Sequence, residues 1–565
     1  MKFLNHLLAM SLLVGLSACS SDDPVPAAGT DGTDPASNGF YSKVTLKLPI
    51  ARSASAEGTE VGKDYENKVG SILVVLAKEN DSKGYDFITY ALSDVPNLDG
   101  DTHTVVFENK TKLFAEAEHE VCVFAYCNPT PELIAKVKAL DAEGASEKSF
   151  TDLICDNNLQ ATWTPNGFLM TSVAVMKKTL ETKDQLKNNH NTPATAFDLG
   201  TIQVIRAVSR FDFRDYTKNN CTYKIYDPDF VPANEGDQPT DENLIATVKL
   251  VNVAMVNRRD EFYYLPRTTT GGLCPGNDGM ETPYVVTPTT ATYSLVNPTE
   301  ALAHKDTKYN GLAFESLAGV LGKAEDIDHG AGGVEDKWGS VTITTDADRE
   351  GYHIWRYTTE NVFAEGVDPD PSKTTGYIFE AEVTPNKDFK RAGDTKTIGE
   401  KVGYKDGDDM YIFNNRLYLN AKHMYLAVQD QPSSKLAEAF AALFDVAGTG
   451  DAAVVTVKEG VNDAAFAAQN VVVYKAYKGA EGDADNGKYY CFYFAYNVHN
   501  DDKHPSEYGP MEYATVRNNV YKLQVTSIKG FGTFVPSSNV EDWDVYFKLS
   551  VEIRPWVVRV NNIEF

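Results

Sequence analysis

This sequence predicts a mostly β fold, two β-sandwich domains with a few short helices. Three observations predict it. Short apolar or alternating runs rich in Val, Ile, Tyr and Phe recur along the chain, and its 30 Tyr and 27 Phe favour pleated, half-buried surfaces. Helical periodicity is clear at only two places, which argues against strand–helix–strand units. The 565 residues are enough for two domains of ordinary size, each with its own core.

The first element is a targeting segment. Lys2 supplies a positive start, and the apolar run Leu7 to Leu16 is too short to cross a bilayer. The run ends in Leu16-Ser17-Ala18-Cys19, small residues before a cysteine, which reads as a lipoprotein signal that lipidates Cys19. An ordinary secretory signal with an incidental cysteine is the plainer alternative. Ser20-Ser21-Asp22-Asp23 resembles the surface-export tag of Bacteroidetes lipoproteins, and Pro24 to Gly39 reads as a tether. The first strand follows over Lys43 to Leu48, with Val44, Leu46 and Leu48 on one face. Behind it, in Leu48-Pro49-Ile50-Ala51-Arg52-Ser53, Arg52 and Ser53 form a tryptic-type cut site. Together these describe a precursor built to lose a piece of its own sheet. The bland alternative is a terminal strand followed by an ordinary loop arginine.

Further strands are expected over Ser71 to Ala77, Thr104 to Phe107, Glu120 to Tyr126, Ile202 to Phe213 and Ile245 to Val256. Later ones are expected over Tyr352 to Tyr357, Tyr377 to Val383, Tyr411 to Phe413, Met424 to Val428, Val471 to Tyr477 and Tyr489 to Tyr496. One helix starts at Pro131 behind the N-cap Thr130 and aligns Leu133, Ile134, Val137 and Leu140. A second opens at Ser434, aligns Leu436, Phe440, Leu443 and Phe444, and stops before Gly448. The Gly/Pro/Thr-rich zone Thr268 to Pro298 is the expected domain boundary. The expected divisions are therefore a signal peptide over 1–19, a tether with the removable strand over 20–52, and sandwiches over 53–280 and 281–565.

The formal charge of −27 argues against nucleic acid or an anionic membrane surface as a partner. Residues 1–52 carry four bases (Lys2, Lys43, Lys47, Arg52) and four acids (Asp22, Asp23, Asp31, Asp34), so trimming leaves −27. Beyond Cys19, the cysteines Cys122, Cys127, Cys155, Cys221, Cys274 and Cys491 are scattered, without CxxC pairs or histidines at ligand spacing. Cys122 and Cys127, five apart on one strand, fall on opposite faces, and small buried side chains are expected. There is no HExxH, GxSxG, Walker loop or dinucleotide fingerprint. Asp483-Ala484-Asp485-Asn486-Gly487 approaches a calcium loop, but the closing position is Phe494. No catalytic residue, metal or cofactor is expected, and the chain reads as a non-enzyme.

At the other end, Tyr513 to Gly530 leads into a long strand, and Leu549, Val551 and Ile553 share one face of the next. Pro555 interrupts the ladder, after which Trp556, Val558 and Val560 resume the alternation. The Arg-Asn-Asn-x-Tyr segment Arg517 to Tyr521 and Pro555-Trp556 resemble the Bacteroidales fimbrillins, most closely the Mfa-type shaft subunit of short fimbriae. Phe168 to Thr171, Val204 to Arg210 and Val251 to Arg259 agree with that resemblance, whereas roughly Thr270 to Lys401 matches little.

The resemblance implies transthyretin-like sandwiches and a lipidated precursor in the outer membrane. It implies an Arg-specific protease acting at the place Arg52 occupies here, and strand exchange in which one subunit's C-terminal strand fills the vacated groove of another. The implied partners are further copies of the chain, joined head to tail, with fimbrial anchor and tip subunits, at the cell surface. Physical chemistry agrees: a sheet that loses a strand exposes unpaired N–H and C=O groups and an apolar slot, and an extended alternating segment repairs both. The candidate donor residues are Leu549, Val551, Ile553, Trp556, Val558 and Val560. Three more apolar anchors than β-residues Val44, Leu46 and Leu48 provide would favour exchange by on the order of 5 kcal/mol before association entropy. A surface glycan-binding lipoprotein, or a fimbrial anchor or tip subunit, are the competing readings.

Overall fold

The computed structural model describes residues 39–47, 64–81, 84–94, 102–109, 111–142, 150–155, 163–164, 167–228, 238–259, 261–269, 274–275, 285–288, 302–305, 314–321, 351–362, 370, 372–390, 393–499, 511–534 and 547–555. The chain is mostly β. The first sheet contains β1 (Phe40–Lys47), β2 (Ser71–Glu79), β3 (Tyr85–Asp94), β4 (Thr102–Asn109), β5 (His119–Cys127), β6 (Met170–Ser172), β7 (Met176–Leu180) and β8 (Phe197–Arg206). Their order is β3-β2-β5-β6-β8-β1-β4, and β7 pairs with β5. Two short helices matter here, α1 (Asp64–Asn67) and α2 (Pro131–Ala142). The N-cap expected for α2 is present: Leu133 N donates to Thr130 Oγ1 at 3.1 Å.

β2 and β5 read as continuous apolar runs because both their faces are covered. Val74, Leu76, Val121 and Val123 pack with Phe40, Val44 and Leu46 of β1. On the opposite face, Leu73, Val75, Phe124 and Tyr126 lie against Leu133 and Val137 of α2 and against Phe262 and Tyr264. Cys127 joins the first cluster and Cys122 the second, so the two do sit on opposite faces. Cys122, Cys127, Cys155, Cys221 and Cys491 are buried free thiols.

The second sandwich faces a sheet of order β12-β9-β20-β21 against one of order β10-β11-β13-β19. Its strands are β9 (Ser209–Phe213), β10 (Thr222–Tyr226), β11 (Leu244–Val256), β12 (His353–Thr358), β13 (Gly376–Pro385), β19 (Tyr489–Tyr496), β20 (Asn519–Ile528) and β21 (Phe547–Pro555). Phe211, Phe213, Tyr521 and Leu523 of one sheet pack on Tyr223, Val248, Phe379 and Tyr493 of the other. Phe211 and Tyr521 stack at 4.7 Å across the β9–β20 pair.

Between β13 and β19 lies an insertion with its own core. Strands β14 (Met410–Phe413), β15 (Arg416–Tyr418) and β18 (Val471–Tyr474) form a small sheet beside the hairpin β16 (Phe444–Ala447) and β17 (Val454–Val457). Helices α3 (Ala421–Asp430), α4 (Lys435–Leu443) and α5 (Asp463–Ala468) bury Met424, Phe440 and Phe466 against them.

Three expectations are corrected. The boundary at 280 is wrong: β9, β10 and β11, within residues 209–256, pair with strands of the second sandwich. The chain changes sheets at Ala207-Val208, where Ala207 N bonds to Leu169 O in the first domain and Asn518 N bonds to Val208 O in the second. The apolar run Ile202 to Phe213 is therefore two strands serving two sheets. Met424 to Val428 is helical, because Asn420 caps α3 by accepting from His423 N, and Ala421, Met424, Tyr425 and Val428 follow the helical period. The Ser434 helix is present and capped by Ser434 accepting from Ala437 N, but it ends at Leu443; Phe444 begins β16.

Candidate functional site

β1 is an interior strand. It runs parallel to β8 on one side and antiparallel to β4 on the other. Its residues alternate between core and surface, with Phe40, Ser42, Val44 and Leu46 each 0% exposed. Opposite them, Val44 pairs with Gly200 and Val105, and Leu46 with Ile202 and His103. A register shift between Lys43 and Val44 lets β8 bulge past β1; Gly200 has φ +113°, and a Cβ there would press on Met176 Sδ at 3.0 Å. The outward side is polar, with Thr45 Oγ1 2.9 Å from Thr104 Oγ1 and Lys43 Nζ 3.5 Å from Asp198.

β4 makes its only ladder, among the described residues, with β1. Losing β1 would thus open a vacancy with two unpaired edges, β8 and β4. Phe40, Val44 and Leu46 would leave an apolar slot, whose burial is worth roughly 5–9 kcal/mol for three fully buried side chains. The sequence reading found Val44 and Leu46 but missed Phe40 and Ser42. Carrying the period of two back to Phe40 would have found both.

Other predicted site residues divide sharply. Cys19, Leu48, Arg52, Ser53, Trp556, Val558 and Val560 lie outside the described residues. Leu549, Val551 and Ile553, expected in the donor strand, are paired in β21 with Val525, Leu523 and Tyr521 of the same chain. Their backbone thus pairs within their own sheet.

A buried polar junction joins the two domains just beyond the residues following β1. Glu66 of α1, fully buried, accepts from Arg210 Nη1 at 3.1 and 3.2 Å and from Tyr357 Oη at 2.6 Å. Arg210 also grips Asp212 through Nε and Nη2, each at 2.9 Å. Burial opposes the Arg210 charge, but Asp212 and Glu66 outweigh it and hold the guanidinium pKa well above its usual value. Arg206 donates from Nε to Glu66 O at 3.1 Å.

The Arg-Asn-Asn-x-Tyr segment builds a second clasp. Arg517 Nη2 meets Glu360 at 2.7 Å and Tyr263 O at 2.7 Å, while Nη1 meets Tyr264 O at 3.1 Å. Asn518, at φ 59°, accepts from Arg206 N, and Tyr521 Oη accepts from Val516 N at 2.9 Å. These residues fix where β20, and hence β21, begins.

Elsewhere the acidic turn at Asp483–Gly487 is held by protein cations: Lys305 bridges Asp483 and Asp485, and Lys488 reaches Asp485. Among the described residues, no group of three or more His, Cys, Asp or Glu could hold a metal. An open cleft of about 1050 Å³ beside the insertion is lined by Asp227, Asn386, Arg416, Tyr418, Gln431 and Lys435. Of the aromatic residues at its wall, Tyr418 and Phe413 are buried and Phe389 is half-buried.

Residues 485–562, spanning β19, β20 and β21, match the family Major fimbrial subunit protein type IV, Fimbrillin, C-terminal. Over that stretch the chain is similar to the fimbrillins. No curated protein matches the chain significantly. Among solved structures it is similar to a candidate cell adhesion protein from Parabacteroides distasonis, with 11% identity, 93% of this chain and 99% of that chain covered, and a TM-score of 0.39. It is also similar to the fimbrilin FimA of Porphyromonas gingivalis, with 12% identity, 93% and 100% covered, and a TM-score of 0.33. For the tip fimbrial protein Mfa3 of the same organism the values are 9%, 92% and 100%, and 0.32. Overlaps this loose assign neither a domain arrangement nor a role to this chain.

Proposed function

We propose that this chain is a fimbrillin, the repeating shaft subunit of a surface fimbria that serves adhesion and biofilm formation. It is exported as a lipoprotein on Cys19, cut between Arg52 and Ser53 by an Arg-specific protease, and polymerised by strand exchange. The observation that carries this reading is the interior position of β1 between β8 and β4, with Arg52 following it in sequence. Cleavage frees β1 from everything downstream, and its departure opens the two-edged slot. The segment after Pro555 of a second copy, led by Trp556, Val558 and Val560, fills that slot. Because donor and acceptor sites lie on different domains, the contact is head to tail and open, so it builds a filament. Anchor and tip subunits would start and cap it at the outer membrane and the distal end.

Purified precursor treated with an Arg-specific protease should acquire Ser53 as its new N-terminus and form heat-labile ladders on gels and filaments by electron microscopy. Arg52→Ala should stay monomeric. Ladders from that variant, or a cut monomer whose first sheet remains fully paired in solution, would end the proposal.

A further inference from the structure

One inward residue of β1 is not apolar. Ser42 is fully buried, and its hydroxyl accepts from Asn109 Nδ2 at 2.5 Å. Asn109, the last residue of β4 and 3% exposed, also reaches Phe40 O at 3.4 Å, yet its Oδ1 has no hydrogen-bond partner among the described residues. A buried amide with an empty acceptor is costly. The groove wall therefore asks for a polar group, preferably one that also donates, at the Ser42 position alone.

We infer that Asn109 reads the register of the incoming strand: Asn562 of a second copy takes the place of Ser42, and that strand enters in the direction opposite to β1. This rests on the strand-exchange reading above. The alternating residues after Pro555 are Trp556, Val558, Val560 and Asn562. Run against β1, Asn562 falls on Ser42, Val560 on Val44, Val558 on Leu46, and Trp556 on the next inward place. From Ser42 to Leu46 each polar place meets a polar residue and each apolar place an apolar one. Glu564 falls on Phe40, the end pair of the β1–β4 ladder, as the one mismatch. A carboxamide donates as well as accepts, so the Asn562 amide meets the Oδ1 that Ser42 leaves empty.

The opposite direction fits worse. With Trp556 on Phe40, Val558 lands on Ser42 and strips Asn109 of its side-chain acceptor, while Asn562 lands on Leu46, which is 0% exposed in the apolar core. Turning the strand over puts Arg559 inside in either direction. The incoming strand is thus antiparallel to β8 and parallel to β4, the reverse of β1.

Cysteine pairing in the full-length chain separates the two directions. Thr104 is exposed and lies opposite Thr45. In the inferred register Arg559 takes the Thr45 place; in the other direction Asn561 does. After cleavage and polymerisation under mild oxidation, Thr104→Cys/Arg559→Cys should form intermolecular disulfides and Thr104→Cys/Asn561→Cys should not. Cross-links in the second pair, or polymer with cross-links in neither, would overturn the inference. No polymer from any chain, wild type included, would overturn the strand-exchange reading itself. Independently, Asn109→Leu and Asn562→Leu should each slow elongation by about tenfold and the double variant should recover to within about threefold, as coupled neighbours do. Additive losses would count against the pairing.

Discussion

The first strand and the last described one make a useful pair. β1 lies inside its sheet and holds β4 to β8, whereas β21 lies at the edge of its sheet and pairs, among the described residues, only with β20. An edge strand that left would merely expose a new edge. An interior strand that leaves divides the sheet and creates a slot one strand wide. Loss of β1 would thus open a vacancy in the first domain, while β21 belongs to the second. Glu66 and Arg517 clasp the domains between them, so removing β1 need not loosen what carries β21.

That contrast can be broken at four points. The largest effect should come from deleting residues 39–47 from the precursor, which removes roughly 5–9 kcal/mol of apolar burial and should leave an aggregating or unfolded chain by calorimetry. Deleting 556–565 should shift monomer stability by less than about 1 kcal/mol; an equal loss from both deletions would erase the distinction. Next, Glu66→Ala should leave Arg210 paired with Asp212 but remove the acceptor of Arg210 Nη1 and Tyr357 Oη, and cost about 2–5 kcal/mol in urea unfolding, with or without β1. Leu46→Ala should cost the precursor about 2–5 kcal/mol but leave the cut, β1-free molecule unchanged. A penalty persisting after β1 has gone would mean that the strand is retained.

The smallest effect concerns pH and only the second domain. Burial pushes the His499 imidazole down to about 4, from 6.5 when exposed, and Nδ1 lies 2.9 Å from Tyr521 Oη. The fold favours neutral His499, so its contribution is complete above pH 6.5 and is lost as pH falls toward 4, on the order of 2 kcal/mol in all. His499→Gln should flatten this slope in acid titrations of unfolding, whereas the stability conferred by β1 should show no such step.

Much of the architecture could be read from residue order. The apolar run Ile245 to Val256 marks a strand, and Thr130 and Ser434 mark helix starts that the structure keeps, whereas the strand Tyr85–Asp94, alternating in its first half, was passed over. Met424–Val428 misled because a short apolar run fits either period until its cap, Asn420, is weighed. The run from Ile202 to Phe213 misled because hydrophobicity is blind to which sheet a strand joins. Ser42 was passed over for a related reason: a polar residue on an inward position looks like an error of phase until Asn109 is found facing it.

By itself, residue order determined the strand content, the alternation that gives β1 its buried face, and the fimbrillin character of the C-terminal stretch. Those are local properties, set by side-chain period and backbone preference. Only tertiary structure decided that β1 is interior, that the domains divide at Ala207-Val208, and that Glu66 and Arg517 lock the halves together. Each of these depends on which distant segments share hydrogen bonds and buried charge, and contacts of that kind leave no periodic trace in the chain.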